Sequence, residues 1–419
     1  MDHFELIDGV MHAEGVSLET IAEQVGTPVY VYSTATIERH AQVFREALAA
    51  TGDPLIAFAV KANPNRAVLA TLAKQGYGAD VVSAGELMRA RAAGIPADRI
   101  VFSGVGKTAD EMRLALEEGI FQFNVESEPE AEMLSAVAVE MGKIAPIAFR
   151  INPDVIAGTH AKISTGGKEN KFGVAYDRAV QAYALAAALP GLRVQGIAVH
   201  IGSQLTNLDP LRAAFEKIGA LMAELRAAGH VLATADLGGG LGVPYDPAEP
   251  LPPSPAAYGQ MVAKATKGWN VRLMFEPGRL IVANAGVLLS RVIRIKQGAA
   301  NDFVIVDAAM NDLMRPSLYD AWHDIRAVRP RGDTMSSTVV GPVCETGDTF
   351  ATNRVTPDFE ADDLMVFATA GAYGATMAST YNSRALTPEV LVKGDKWSVV
   401  RARQPLETLI AGDNVPDWL

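Results

Sequence analysis

The chain has 419 residues, 49% of them hydrophobic and 20% charged, with a formal net charge of −11. Such a balance describes a globular protein with a sizeable core and excludes a disordered or coiled-coil chain. The acidic surplus, with no basic run, leaves nothing for a nucleic-acid backbone or an anionic membrane to hold, so a small-molecule partner is expected. No apolar stretch reaches the ~18 residues of a membrane span, and the opening MDHFELIDGV lacks a cationic leader before an apolar run. Cys344 is the single cysteine, which excludes an intramolecular disulfide framework and suits a reducing cytoplasm.

Two domains are expected from the length, although a barrel of about 250 residues counts as one. From about Pro54 to Arg279, short β-rich runs alternate with Ala/Leu-rich segments of helical period. The strands read as 55–60, 79–82, 100–103, 121–125, 146–151, 196–201, 233–238 and 272–276. Eight strands with helices between them predict a (β/α)8 TIM barrel over 35–280, an α/β fold. Ser83 reads as the N-cap of one barrel helix, with Gly94 just past its end. The Pro-rich 247–255 reads as a spacer before a helix. Residues 1–34 and 281–419 carry strand-like runs without helical segments, among them TPVYVYS, LIVANAGVLLSRVIRIKQ, DFVIVDAA, STVVG, DLMVFATAGAYG, EVLVKG and KWSVVRAR. They predict a β-barrel or β-sandwich as the second domain.

Polar residues collect where the predicted barrel strands end: Lys61, Asp80 with Ser83, Ser103, Asn124 with Glu126, Arg150 with Asn152, His200 with Ser203, Gly238 to Gly240, and Glu276 with Arg279. That face of such a barrel holds the active site. Any one of them could be an ordinary loop polar group. A Lys, a His, a Glu and an Arg on four different strand ends is harder to read so. A lysine on an apolar strand either reaches back to water or takes a lowered pKa or a covalent role, and condensation with an aldehyde removes its charge. The glycines of 236-DLGGGLGVPY-245 and of 276-EPGR-279 follow the seventh and eighth strands, where barrels hold phosphate. An aldehyde that carries a phosphate and is captured by lysine is pyridoxal phosphate. Glu276 is placed to meet its ring nitrogen and His200 to cover the flat face of its ring.

The set FAVKANPN (58–65), ISTGGKENKFG (163–173), HIGSQ (200–204), GGGLG (238–242), EPGR (276–279), GPVCETGD (341–348) and GAYGATMASTYNSR (371–384) closely resembles the diaminopimelate decarboxylase family. That family belongs to the barrel-type (fold-type III) pyridoxal-phosphate decarboxylases, which also include ornithine and arginine decarboxylases. The resemblance implies an alanine-racemase-like pair of domains, the cofactor pyridoxal 5'-phosphate and no metal. It implies decarboxylation of meso-2,6-diaminopimelate to L-lysine and carbon dioxide, the last step of lysine biosynthesis. Residue by residue, Lys61 matches the lysine that carries the cofactor, and His200 the ring-stacking histidine. Ser203, Gly239, Gly240, Glu276, Gly278, Arg279 and Tyr373 match cofactor contacts. Arg279, Arg315, Tyr319, Glu345 and Tyr373 match substrate contacts. Cys344 and Glu345 are implied to enter the site from the second subunit of a homodimer, with Cys344 the proton donor.

Diaminopimelate has a second amino-acid group at its far end, and arginine suits the distal carboxylate while an acid such as Glu345 suits the distal ammonium. Ornithine decarboxylases tend to have Cys-Asp-Gly where this chain has Cys344-Glu345-Thr346, which favours the longer substrate. In 157–164, the residue before Ile163 is smaller than usual in related enzymes, and Thr346 stands for a common serine. The alternatives are a decarboxylase for ornithine, arginine or carboxynorspermidine, a racemase of similar barrel, or a silent binding protein. For Cys344 the alternative is a buried, inert thiol.

Overall fold

A computed structural model describes residues 2–156, 165–166, 170–299 and 301–419. The 157–164 departure, and residues 163, 164 and 167–169 of the motif 163–173, lie outside the described residues. Contacts divide the chain into two compact units. One comprises Glu38–Pro244 and Pro250–Ile281; the other comprises Met1–Ile37, Tyr245–Glu249 and Val282–Leu419.

The first unit is built on eight parallel strands: β1 (Leu55–Ala59), β2 (Gly78–Val81), β3 (Ile100–Phe102), β4 (Gln122–Val125), β5 (Ala145–Asn152), β6 (Leu192–Val199), β7 (Thr234–Asp236) and β8 (Arg272–Phe275). Each pairs with the next, and β8 returns to β1 through Met274↔Leu55 and Phe275↔Ile56, so the sheet closes on itself. These are the eight strands expected from the sequence, with ends moved by a few residues. An additional two-residue strand, Val174–Ala175, pairs with the end of β5. Leu55, Ala57, Val101 and Met274 are fully buried and pack together. They fill part of the ring's core toward the start of β1.

The intervening helices begin where side chains can satisfy their first free amides. Ser83 accepts from Glu86 N at 3.3 Å ahead of Ala84–Ala92. Gly94, at φ +89°, ends that helix. Thr108 and Glu111 form a reciprocal capping box ahead of Ala109–Glu118. Each cap fixes the loop leading from a strand end into a helix, which is where the polar residues sit.

The second unit contains a mostly antiparallel nine-stranded sheet. Its long strand Gly286–Lys296 pairs with Val29–Ser33, Asp302–Val306 and Leu364–Phe367. Alternate residues Val29 and Val31, Val287 and Leu289, and Val390 and Val392 point into one buried cluster, the period of two that a half-buried strand imposes. Three differences from the sequence reading stand out. The run beginning at Leu280 opens as a short helix, Arg279–Val282, before the strand starts at Gly286; short apolar runs do not distinguish the two. Helices Leu18–Val25 and Arg315–Tyr319 interrupt a region expected to be all strand. Tyr245–Glu249 groups with this unit, so the start of the Pro-rich connection packs there and is more than a spacer.

Candidate active site

The C-terminal ends of the barrel strands surround a cavity of about 330 Å³, whose lining includes Lys61, Ser103, Asn124, Arg150, His200 and Glu276. Lys61 lies in a 3-10 turn, Val60–Ala62, that directly continues β1. Its Nζ is 2.6 Å from Oδ2 of Asp80, which is fully buried at the end of β2. The other oxygen, Asp80 Oδ1, is buried without a hydrogen-bond partner. A buried acceptor left open beside an ammonium is a costly arrangement that structure alone does not require.

A polar ladder climbs the inside of the ring to Glu276. Thr234 Oγ1 donates to Gln122 Oε1 at 2.8 Å, Gln122 Nε2 to Asn124 Oδ1 at 2.8 Å, and Asn124 Nδ2 to Asp236 Oδ2 at 2.8 Å. At its top, Ser103 Oγ and Asn124 Nδ2 donate to Glu276 Oε1 at 3.2 and 3.3 Å. Asp236 Oδ1 accepts from Gly238 N at 2.9 Å. Burial, then the Asp236 and Asp80 carboxylates, push the Glu276 carboxyl well above its usual range, against the opposing Lys61. Burial also raises the carboxyl of the neighbouring Asp236 above its usual range. The sequence placed Glu276 at this mouth. It did not single out Asp236, whose partners lie on other strands.

His200 is held against the Gly-rich turn, where its Nδ1 accepts from Gly239 N at 3.2 Å. The ring hydrogen therefore sits on Nε2. Burial, then Arg150 and Lys61, push the imidazole well below its usual range, so the ring is neutral. The turn comes this close because a Cβ on Gly238, at φ +65°, would lie 2.7 Å from His200 Nδ1. A Cβ on Gly240, at φ +118°, would lie 2.6 Å from Gly202 O. Gly278 rests over Ala59 and Ala62, and Arg279 Nε and Nη2 donate to Ser203 Oγ at 3.3 and 3.1 Å. A cradle of glycine backbone beside a buried arginine suits a phosphate. With an amine, a neutral ring and a buried acid on one cavity, these residues fit pyridoxal phosphate.

A second buried network supports the mouth; the sequence reading placed its Asn124, Glu126 and Arg150 at strand ends but did not single out Lys107 or Glu130. Lys107 Nζ, with its side chain 1% exposed, donates to Gly104 O, Asn124 O and Glu130 Oε1, each at 2.7 Å. Glu130 Oε2 accepts from Glu126 N at 2.9 Å. Glu126 in turn pairs with Arg150 Nη1 at 3.1 Å and accepts from Gly104 N and Gly173 N. Arg150 Nη2 donates to His200 O at 3.2 Å. The S-x-x-E spacing of 127–130 signals only a helix cap; Glu130's pairing with Lys107 depends on the fold.

The remaining expected residues lie in the β-rich unit. Cys344 and Glu345 are exposed on the loop between Thr334–Val340 and Thr349–Pro357, so the thiol is not the buried, inert one of the alternative reading. Asp348 anchors that loop: its buried carboxylate accepts from Met310 N and Val343 N, each at 2.6 Å. Ser317 Oγ, on the helix Arg315–Tyr319, donates to Gly347 O at 2.6 Å. Arg315 and Tyr319 are thereby tied to the same loop, and the Glu345 carboxylate pushes the Tyr381 phenol above its usual range. Arg315 itself is buried, with its guanidinium 4.3 Å over the Tyr245 ring. Tyr373 has φ +55°, a left-handed conformation that costs energy in a bulky residue. Among the described residues, no group of three or more His, Cys, Asp or Glu could hold a metal ion, and no helix is long and apolar enough to cross a membrane.

Residues 34–283 match the family model described as the pyridoxal-binding domain of pyridoxal-dependent decarboxylases. The chain is 57% identical over 418 residues to a diaminopimelate decarboxylase of Zymomonas mobilis, with 99% of each chain covered. It is 52% identical over 418 residues to the Pseudomonas fluorescens enzyme of that name, again with 99% of each covered. Among solved structures, it resembles a diaminopimelate decarboxylase of M. jannaschii in co-complex with L-lysine, with TM-score 0.95, 36% identity, and 100% and 99% of the two chains covered. The barrel, the β-rich second unit and the full-length likeness converge: this chain belongs to the diaminopimelate decarboxylases of the pyridoxal-dependent decarboxylase family.

Proposed function

We propose that this chain removes one carboxylate of meso-2,6-diaminopimelate as carbon dioxide and yields L-lysine, with pyridoxal phosphate as its cofactor. The observation that carries the reading is the meeting of Lys61, His200 and Glu276 on one barrel-mouth cavity. Lys61 would hold the cofactor's aldehyde carbon, Glu276 its ring nitrogen and His200 a face of its ring. Gly239, Gly240, Gly278, Arg279, Ser203 and Tyr373 would hold its phosphate. When bound, pyridoxal phosphate supplies a ring that accepts the electron pair left on the α-carbon as carbon dioxide departs.

The chain's own groups do the rest. Asp80 keeps the Lys61 amine aimed into the cavity. Ser103 and Asn124 hold Glu276 Oε1, so the acid meets a ring nitrogen without having to reorient. The uncharged His200 adds no positive charge beside the reacting carbon. Arg279, Arg315, Tyr319 and Tyr373 bind the substrate's carboxylates, and Glu345 binds the distal ammonium. Cys344 Sγ–H delivers the proton that replaces the departed carboxylate.

Cys344 and Glu345 act, in this reading, on the barrel of a second copy in a homodimer. Their exposure in a single chain, on a loop whose base is locked by Asp348, supports this. An exposed working thiol also suits a reducing cytoplasm. Mixing Lys61→Ala with Cys344→Ala subunits tests the sharing. Half of randomly formed dimers would be mixed, each with one intact site, so about a quarter of wild-type activity should return; no recovery would refute a shared site. The substrate is tested by carbon dioxide release from diaminopimelate, ornithine, arginine and carboxynorspermidine, where release from ornithine but not diaminopimelate would overturn the assignment.

A further inference from the structure

We propose that His323 is a positioning residue that fixes the Arg315 guanidinium for the distal carboxylate of the substrate; the inference rests on the reading of Arg315 as a substrate ligand. His323 is 1% exposed, and its Nε2 lies 2.8 Å from Arg315 Nη1. Arginine has only donors, so Nε2 is the acceptor and the ring hydrogen must be on Nδ1. That nitrogen lies 2.8 Å from the carbonyl oxygen of Ala368, to which it donates. Two contacts thus select one tautomer and one ring orientation, and a protonated ring could not accept from Arg315.

The supports of His323 are themselves fixed. Ala368 N donates to Asp324 O at 2.8 Å, extending the pairing of Ile325–Ala327 with Leu364–Phe367. Arg354 Nη1 donates to His323 O at 2.5 Å, and its guanidinium lies 3.3 Å over the Trp322 ring. Tyr245 meets His323 edge-on at 5.5 Å while presenting its face to Arg315 at 4.3 Å. Arg315 is therefore oriented by a neutral acceptor on Nη1 and an aromatic face on its plane.

The neutrality matters for specificity. A carboxylate at this position would orient Arg315 equally well, but it would offset the positive charge and compete with the substrate's anion. A neutral imidazole holds the guanidinium without itself offsetting its charge. Decarboxylation removes one carboxylate of diaminopimelate, so the carboxylate of the product L-lysine is the distal one. L-lysine therefore probes this contact without turnover, and 1,5-diaminopentane, which has no carboxylate, serves as its control.

The test measures turnover of diaminopimelate, with inhibition by L-lysine and by 1,5-diaminopentane, in wild type, His323→Leu, His323→Gln and Arg315→Gln. A lost hydrogen bond to a charged group predicts that His323→Leu raises KM and the L-lysine inhibition constant by about tenfold or more. Its kcat and its 1,5-diaminopentane constant should stay near wild type, and His323→Gln, which can still present an acceptor, should recover most of the loss. Unchanged constants in His323→Leu, with both raised in Arg315→Gln, would overturn the inference. Unchanged constants in Arg315→Gln would instead overturn the reading of Arg315. If His323→Leu does not fold, His323→Asn replaces it, since its amide is too short to reach Arg315; equal constants for the Asn and Gln variants would overturn the inference.

Discussion

Replacing Lys107 with methionine keeps most of its length and removes its charge. In the folded barrel, the Lys107 ammonium makes contacts of 2.7 Å to Glu130 Oε1 and to the carbonyls of Gly104 and Asn124, with its side chain 1% exposed. Removing one partner of a buried ion pair costs about 3–5 kcal/mol, because the other is left charged in a dry site. The cost should depend on pH. Burial already raises the Glu130 carboxyl above its usual range, and Lys107 is the main influence that lowers it. Without Lys107 the folded value rises further, so the folded state holds the proton more readily than the unfolded one. The deficit is then small where Glu130 is protonated and grows as pH rises through its folded value. Denaturation of Lys107→Met, followed by circular dichroism at about pH 5.5 and about pH 8.5, should show the larger loss at the alkaline value. The double variant Lys107→Met/Glu130→Leu should recover much of it. A loss below about 1 kcal/mol at the alkaline pH, the range of an exposed pair, would refute the reasoning.

Asp348→Ala removes both acceptors that lock the loop of Cys344 and Glu345. It should lower kcat by about tenfold to a hundredfold, as a misplaced catalytic group does, while the cofactor's absorbance band persists; unimpaired turnover would refute the anchoring role. The His200 imidazole is pushed well below its usual range, so the unfolded chain takes up a proton there more readily than the folded one. Its contribution to stability is present above the ordinary imidazole value and lost as pH falls. Its ring resonances, followed by NMR, should not titrate near the ordinary value of 6.5, and a normal titration would contradict the buried, neutral ring.

The barrel was legible in the sequence because βα units repeat one local pattern, and all eight strands are found where apolar runs precede polar ends. Lys61, His200 and Glu276 were legible for the same reason: each closes a strand, and the closed ring brings strand ends to one mouth. The β-rich unit was less so. Its short helices Leu18–Val25 and Arg315–Tyr319 fall among strand-like runs, and nothing local announces them. The residues that support the site were hidden for a different reason. Asp236, Lys107 and His323 look like ordinary polar residues until pairings across 8 to 112 positions place them against Asn124, Glu130 and Arg315. Most of the specific roles proposed, including the donor role of Cys344 and the substrate contacts, came from motif resemblance, since local pattern does not reveal what a loop meets.

The most direct measurement is the stoichiometry of the reaction with meso-diaminopimelate and added pyridoxal phosphate. Wild-type protein should release one mole of carbon dioxide and one of L-lysine per mole consumed, with no 1,5-diaminopentane. Lys61→Ala, although folded, should lack the cofactor-linked absorbance band and turn over negligibly. Carbon dioxide release by Lys61→Ala at the wild-type rate, or none from diaminopimelate with the wild type, would contradict the assignment of the barrel mouth as the decarboxylating site.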